Sequence, residues 1–199
     1  MTKQSFSNTL GNWLASKQKK TIGSMLDIFD EKSFAFIFLV LMIFPATPIP
    51  TGGIVHVFEV IVMLVALQLL IGRQDLWLPR RLQRIELSRS TREKVLPFLL
   101  RRVQFFERFA RPRLSKTMRQ KWFRMQLGLT VTLLAAGAFF APPFTGLDTL
   151  PSMGVVLIAI GIILDDVLLV GAGYIVGYAG IALAIFLGAG IITAIGTLF

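Results

Sequence analysis

The sequence has no cysteine among its 199 residues, a single histidine and two tyrosines. Without cysteine there is no disulfide framework, no thiol nucleophile and no cysteine-based metal site. One histidine rules out a histidine-rich metal centre. Charge is scarce too, at 16% of residues against 54% hydrophobic, with a mean hydropathy of +0.70. Positive charge is missing altogether after Arg124: sixteen of the 21 Lys/Arg fall between Arg73 and Arg124, and the other five lie at or before Lys32. No phosphate-cradling Gly-x-x-x-x-Gly-Lys loop is present. No serine has a base and an orienting group in view, and the pair Asp165-Asp166 is a weak version of grouped metal-binding acids. The reading is therefore non-enzymatic, with no catalytic residue, no metal and no cofactor. The net charge of +10 suggests nucleic acid only until its distribution is plotted. The basic middle lacks a nucleic-acid fold signature and adjoins apolar runs, so anionic lipid is the expected partner and nucleic acid is not.

What is abundant is apolar sequence interrupted by proline and glycine. Pro45-Ala-Thr-Pro-Ile-Pro-Thr-Gly-Gly53 separates the uncharged run Phe34–Phe44 from Ile54–Gly72, which carries only His56, Glu59 and Gln68 as polar residues. Proline removes backbone donors and glycine permits turns, so no continuous helix passes through this stretch. In a bilayer the freed backbone groups must be covered by protein or a water-filled cavity, unless the break lies at the surface. Pro142-Pro-Phe-Thr-Gly-Leu-Asp148 is a second such break. At a constant offset of 94 residues, Pro48, Thr51 and Gly52 fall on Pro142, Thr145 and Gly146. A shared Pro-x-x-Thr-Gly indicates a diverged internal repeat, as in transporters whose sites lie where broken helices meet. The alternative is two hairpins that independently end in Pro/Gly turns.

The fold class expected is all-α: a polytopic integral membrane helical bundle with an internal repeat and two Pro-rich helix breaks. Residues 1–32 form an N-terminal interfacial segment, without the apolar core of a cleavable signal. In it Phe6, Leu10, Trp13 and Leu14 recur at helical spacing and Lys17, Lys19 and Lys20 follow, which suits a helix lying on anionic headgroups. Residues 33–72 are the first membrane repeat with its broken hairpin. Residues 73–122 are a basic cytoplasmic or interfacial linker, by the positive-inside rule. Its stretch Val95–Ala110 is amphipathic, with Val95, Phe98, Leu99, Val103, Phe106, Phe109 and Ala110 on one face. Arg101, Gln104, Glu107 and Arg108 take the other. Residues 123–199 are the second membrane repeat: spans at Phe123–Ala141 and Met153–Gly171, then a Gly-rich segment Tyr174–Phe199. Gly173-x-x-x-Gly177 and Gly180-x-x-x-Ala184-x-x-x-Gly188 place small residues at helix-packing spacing, and a homodimer through these helices is one use of them.

Ionisable residues inside a span are costly, and each is a candidate site. Glu59 lies about a turn and a half into its helix, with His56 three residues earlier on the same face. Asp148 and Thr145 lie in the second break, and Thr51 in the first. Arg102 falls among the apolar residues of its helix, where it either snorkels to headgroups or faces inward as an anion ligand. The substrate-binding set is therefore Glu59, His56, Arg102, Thr51, Thr145 and Asp148. Asp165-Asp166 reads as a solvated helix end.

The order of motifs resembles a known family. Asp30-Glu-Lys-Ser-Phe34, Pro48-x-Pro50 with Gly52-Gly53, Ala66-Leu-Gln-Leu-Leu-Ile-Gly-Arg73 and Trp77-Leu-Pro-Arg-Arg-Leu82 are similar to the exopolysaccharide-synthesis ExoD family. So are the later Pro142-Pro-Phe-Thr-Gly and Gly161–Asp166, and the likeness covers roughly residues 22–190. His56 and Phe58-Glu59 depart from the pattern, which is more apolar there. The resemblance implies a multi-pass protein of the bacterial inner (cytoplasmic) membrane that takes part in exopolysaccharide synthesis or export, and it brings no catalytic residues. A lipid-linked saccharide is then a candidate partner beside the bilayer and its anionic lipids. The alternatives are a small ion or proton transporter using Glu59, or a scaffold recruiting polysaccharide synthases through the basic middle.

Overall fold

The computed structural model describes residues 6–29, 32–47, 53–110, 120–141 and 145–196, with no strand among them. Four helices form the centre: α3 (Ser33–Met42), α4 (Ile54–Leu70), α7 (Lys121–Phe139) and α8 (Thr149–Leu164). They close into a ring, because α3 and α7 each pack against both α4 and α8. Around this ring come α1 (Phe6–Ala15), α2 (Ile22–Asp27), the short α5 (Arg80–Gln83), α6 (Leu96–Glu107) and the long α9 (Val167–Gly196).

Contacts at the helix ends set the directions. The Lys32 ammonium, at the start of α3, bonds the Ile163 carbonyl at 2.6 Å and Asp165 at 3.0 Å, where α8 ends. Gly72, just past α4, turns back at φ +87° against the Lys121 side chain that opens α7. The His56 ring, near the start of α4, meets Phe139 at the end of α7 with centroids 5.4 Å apart. The hairpins α3–α4 and α7–α8 therefore run in the same direction. The ends of α3 and α7 and the starts of α4 and α8, between which the two Pro-rich stretches fall in sequence, lie at one end of the ring, and the starts of α3 and α7 lie at the other.

The second layer sits at that other end. Phe6, Leu10 and Trp13 of α1 are buried in protein, with Phe6 stacked on Phe29 at 4.4 Å and Phe29 on Phe36 at 4.7 Å. The spacing that reads as a lipid-facing helix thus serves an internal contact: burying these aromatic rings against the protein satisfies the same hydrophobic demand. Helix α6 turns Leu96, Leu99 and Val103 inward and leaves Phe98 and Phe109 exposed. Its buried stripe is narrower than the expected face, and Glu107, expected on the polar side, accepts from the Ser7 N–H of α1 at 3.2 Å.

Asp165-Asp166 overturns its reading as a solvated helix end. The two residues are 6% and 4% exposed. Asp165 adopts the left-handed conformation (φ 57°) that ends α8, and Asp166 accepts the Leu168 N–H at 2.8 Å, capping α9. The helix boundary therefore falls here, not near Gly171, and the C-terminal helix starts seven residues earlier than the expected Tyr174. This helix contains the one stretch among the described residues long and apolar enough to cross a membrane, Val167–Leu187; α3, α4 and α8 are shorter apolar helices. Gly173, Gly177 and Gly180 of α9 face inward. A Cβ at Gly154 of α8 would lie 2.5 Å from Gly177 Cα and 2.8 Å from the Gly173 carbonyl oxygen, and one at Gly180 would meet Leu150 and Pro151. Gly173, Gly177 and Gly180 are thus used within the chain.

Large apolar side chains also line the outside. Val57, Ile61, Leu64 and Ile71 form an exposed stripe on α4, and Trp122, Met125, Leu129 and Leu133 form one on α7. Helix α9 exposes Leu168, Ile175, Ile185 and Phe186.

The Gly154 contact gives a paired test of the α8–α9 seam. Gly154→Leu should destabilise the folded protein by about 3 kcal/mol or more, as overpacking against backbone does, measured by thermal unfolding in detergent. Gly171→Ala, with nothing within 4 Å of the added atom, should shift the melting point by less than a third as much.

Candidate functional site

The only carboxylate in the middle of a central helix is Glu59, and its burial is complete at 0% exposure. Helix α4 brings it there by periodicity. Val55, Glu59, Val62, Ala66 and Leu69 form the inward stripe, while Val57, Ile61 and Leu64 point outward. His56, one turn before Glu59, shares a hydrogen bond between its Nδ1 and Glu59 Oε2 at 2.8 Å. With the carboxylate ionised, Nδ1 carries the hydrogen and the ring orients the acid. The His56 side chain is about 29% exposed, so the pair runs from the bundle interior towards the break end. Phe139 packs edge-on against the imidazole and limits its rotation.

The second carboxylate oxygen, Oε1, is buried and has no hydrogen-bond partner among the described residues. A buried acceptor left without protein, water or ion partner costs about 1–3 kcal/mol. Asp148, half-buried at the start of α8, lies within electrostatic reach of Glu59. Two acids from the two hairpins thus face the same end of the ring. Neither break contains a lysine or arginine, so that end offers hydrogen-bond acceptors and no fixed cation.

The remaining sequence candidates fall elsewhere. Thr145 is exposed in the second break, where its Oγ1 accepts the Leu147 N–H at 3.3 Å. Thr51 lies outside the described residues. Arg102 is exposed on α6, its guanidinium 5.0 Å from the centre of the Phe98 ring, and does not face the bundle interior. Gln68 Oε1 accepts the Trp77 N–H at 3.0 Å and pins the chain as it leaves α4. Sequence reasoning missed the role of Lys20. It is buried at the end of α1, where it bonds the Trp13 carbonyl and, at 2.9 Å, that of Ser16. Its place after Trp13 and Ser16, at the C-terminal end of an amphipathic run, was the available signal. No group of three or more metal-ligating side chains occurs among the described residues.

These features define a helical fold among the described residues, with a helix long and apolar enough to cross a membrane and a buried carboxylate paired with a partly exposed imidazole. The family described as "Exopolysaccharide synthesis, ExoD" matches residues 6–186, and the chain belongs to it. The protein named ExoD of Rhizobium meliloti is 30% identical over 183 residues, covering 87% of this chain and 73% of its own. An uncharacterised protein of Synechocystis, slr1875, is 32% identical over 154 residues, covering 77% of this chain and 72% of its own. No solved structure matches significantly. Family membership connects the chain with exopolysaccharide synthesis.

The His56–Glu59 pair predicts a specific coupling. His56→Ala should destabilise the protein by about 1–3 kcal/mol by leaving a second oxygen of Glu59 unsatisfied. In the Glu59→Leu background the same substitution should cost less than half as much. Equal costs in both backgrounds, measured by unfolding in detergent, would show that the two residues do not act together.

Proposed function

We propose that this protein is a non-enzymatic, multi-pass inner-membrane factor in exopolysaccharide synthesis or export that handles an anionic lipid-linked intermediate. The supporting observation is the arrangement of surfaces. Apolar stripes on α4, α7 and α9 face outward, although monomeric soluble proteins seldom expose contiguous apolar patches beyond a few hundred Å². Lysines and arginines gather at the end where α3 and α7 begin, whereas the stretches joining α3 to α4 and α7 to α8 contain none and carry Asp148 and most of the prolines. Under the positive-inside rule the basic end is cytoplasmic and both breaks are periplasmic. The hairpins α3–α4 and α7–α8 are then parallel repeats about an axis along the membrane normal. The basic end attracts a phosphate-bearing lipid carrier. Glu59, His56, Asp148 and Thr145 at the break end offer acceptors to the hydroxyl groups of a sugar, and Glu59 Oε1 has no partner among the described residues.

A second reading, transport of a proton or small cation through Glu59, is favoured by the same oxygen and by the proximity of Asp148. Two acids on one path suit a cation better than an anion. Reconstituted liposomes separate the readings: lipid movement between leaflets supports the first, ion flux without it the second, and neither the scaffold alternative. In cells, Glu59→Gln should lower exopolysaccharide output several-fold at matched protein level and membrane insertion, with Glu59→Asp milder. Unchanged output from Glu59→Gln would remove Glu59 from the site.

A further inference from the structure

A second polar feature lies at the basic end, far from Glu59. Residues 20–22 and 85–87 form a short antiparallel bridge, in which the Ile22 N–H donates to the Ile85 carbonyl at 3.0 Å and the Leu87 N–H to the Lys20 carbonyl at 2.8 Å. Ser88 then turns the chain, its Oγ accepting the Thr91 N–H at 3.1 Å. Residues Thr91–Val95 wind as a π-helical turn into α6. The result is a cleft of about 400 Å³ between the end of α1 and the start of α6, lined by Leu14, Lys20, Arg89, Arg92, Glu93 and Pro97.

The charges in this cleft do not balance. Glu93 is its one acid, and it is engaged by Arg89 Nε at 2.8 Å. That leaves Lys20 and Arg92. The Lys20 ammonium is surrounded by neutral groups: the carbonyls of Trp13 and Ser16, the Ser16 hydroxyl at 2.6 Å, and the face of the Trp13 ring at 4.8 Å. The Arg92 guanidinium has no carboxylate partner among the described residues. Burial first, and the neighbouring Arg92 charge second, hold the Lys20 ammonium below the ordinary lysine range. Two like charges held together beside a cavity are stabilised by an anion between them. Guanidinium groups bind phosphate oxygens in paired, charge-assisted hydrogen bonds, and Leu14 and Pro97 supply an apolar wall for what the phosphate is attached to.

We propose that the cleft beside Lys20 and Arg92 binds a phosphoryl group, carried by a lipid headgroup or free in solution. The proposal rests on the reading given above only for what bears the phosphate in the cell, and the cleft is testable without it. Trp13 lies beneath Lys20 and reports on it. In full-length protein carrying Trp77→Phe and Trp122→Phe, both exposed positions, Trp13 is the one remaining tryptophan. The protein in phosphatidylcholine nanodiscs is titrated with dihexanoyl phosphatidic acid and, separately, with inorganic phosphate. A saturable change in Trp13 fluorescence is expected, weakened about tenfold or more by Arg92→Gln, as loss of a charge-assisted contact would give. Arg101→Gln, an exposed arginine outside the cleft, should leave it unchanged. Response to phosphatidic acid alone assigns the site to a headgroup, and competition by inorganic phosphate assigns it to the phosphate itself. No saturable response to either probe, or equal weakening by Arg92→Gln and Arg101→Gln, overturns the proposal. Binding lost in Arg92→Gln while exopolysaccharide output stays normal would keep the cleft and remove the carrier reading.

Discussion

The buried corner at Asp165-Asp166 is the constraint on which the arrangement of helices depends. Asp165 takes the left-handed conformation that ends α8 and pairs with Lys32 at the start of α3. One residue later Asp166 caps α9. Three helices from opposite ends of the chain are thus fixed by two adjacent side chains. The Lys32 side chain is partly exposed and that of Asp165 is buried, so removing Lys32 would leave Asp165 without this ion pair at the junction. The first hairpin ends in a related way: Gly72 supplies the positive φ and the Lys121 stem packs over it. In each hairpin the C-terminal turn meets a lysine that opens the other hairpin, which closes the ring.

Closure of that ring separates two chemistries. The helix ends that flank the two Pro-rich stretches, together with Asp148, fall at one end, and the layer of α1, α2, α5 and α6 covers the other. Glu59 reaches the first end through His56, and Lys20 with Arg92 opens onto the second. Because the hairpins run in parallel, neither site is duplicated on the opposite end. The exposed stripes of α4 and α7 adjoin one another across a tight helix crossing at Gly128, where an added Cβ would clash with Ala66 and Leu70.

Much of this was legible in sequence because proline and glycine act locally. Pro45–Gly53 and Pro142–Asp148 interrupt helices whatever surrounds them, and the helices on either side appear where apolar runs predict them. Glu59 with His56 was legible for a similar reason, since three-residue spacing on a helix forces proximity. What stayed hidden depends on partners distant in the chain. A charged pair after an apolar run is normally a solvated end, and nothing near Asp165 in sequence announces Lys32. The amphipathic pattern of α1 is the same whether lipid or protein covers it, so periodicity alone could not tell that Phe29 and Phe36 do so. The glycine spacing of α9 likewise shows that something packs closely and not what, and α8 of the same chain proves to be the neighbour.

The claim that ties these features together is that both breaks face one side of a membrane and the basic layer faces the other. Single cysteines at Thr47, Thr145, Gln74 and Ser90 in an otherwise cysteine-free protein test it directly, with a membrane-impermeant thiol reagent applied to intact cells and to inverted vesicles. The account predicts labelling of Thr47→Cys and Thr145→Cys only in cells, and of Gln74→Cys and Ser90→Cys only in vesicles. Labelling of Thr47→Cys and Thr145→Cys from opposite sides would contradict it.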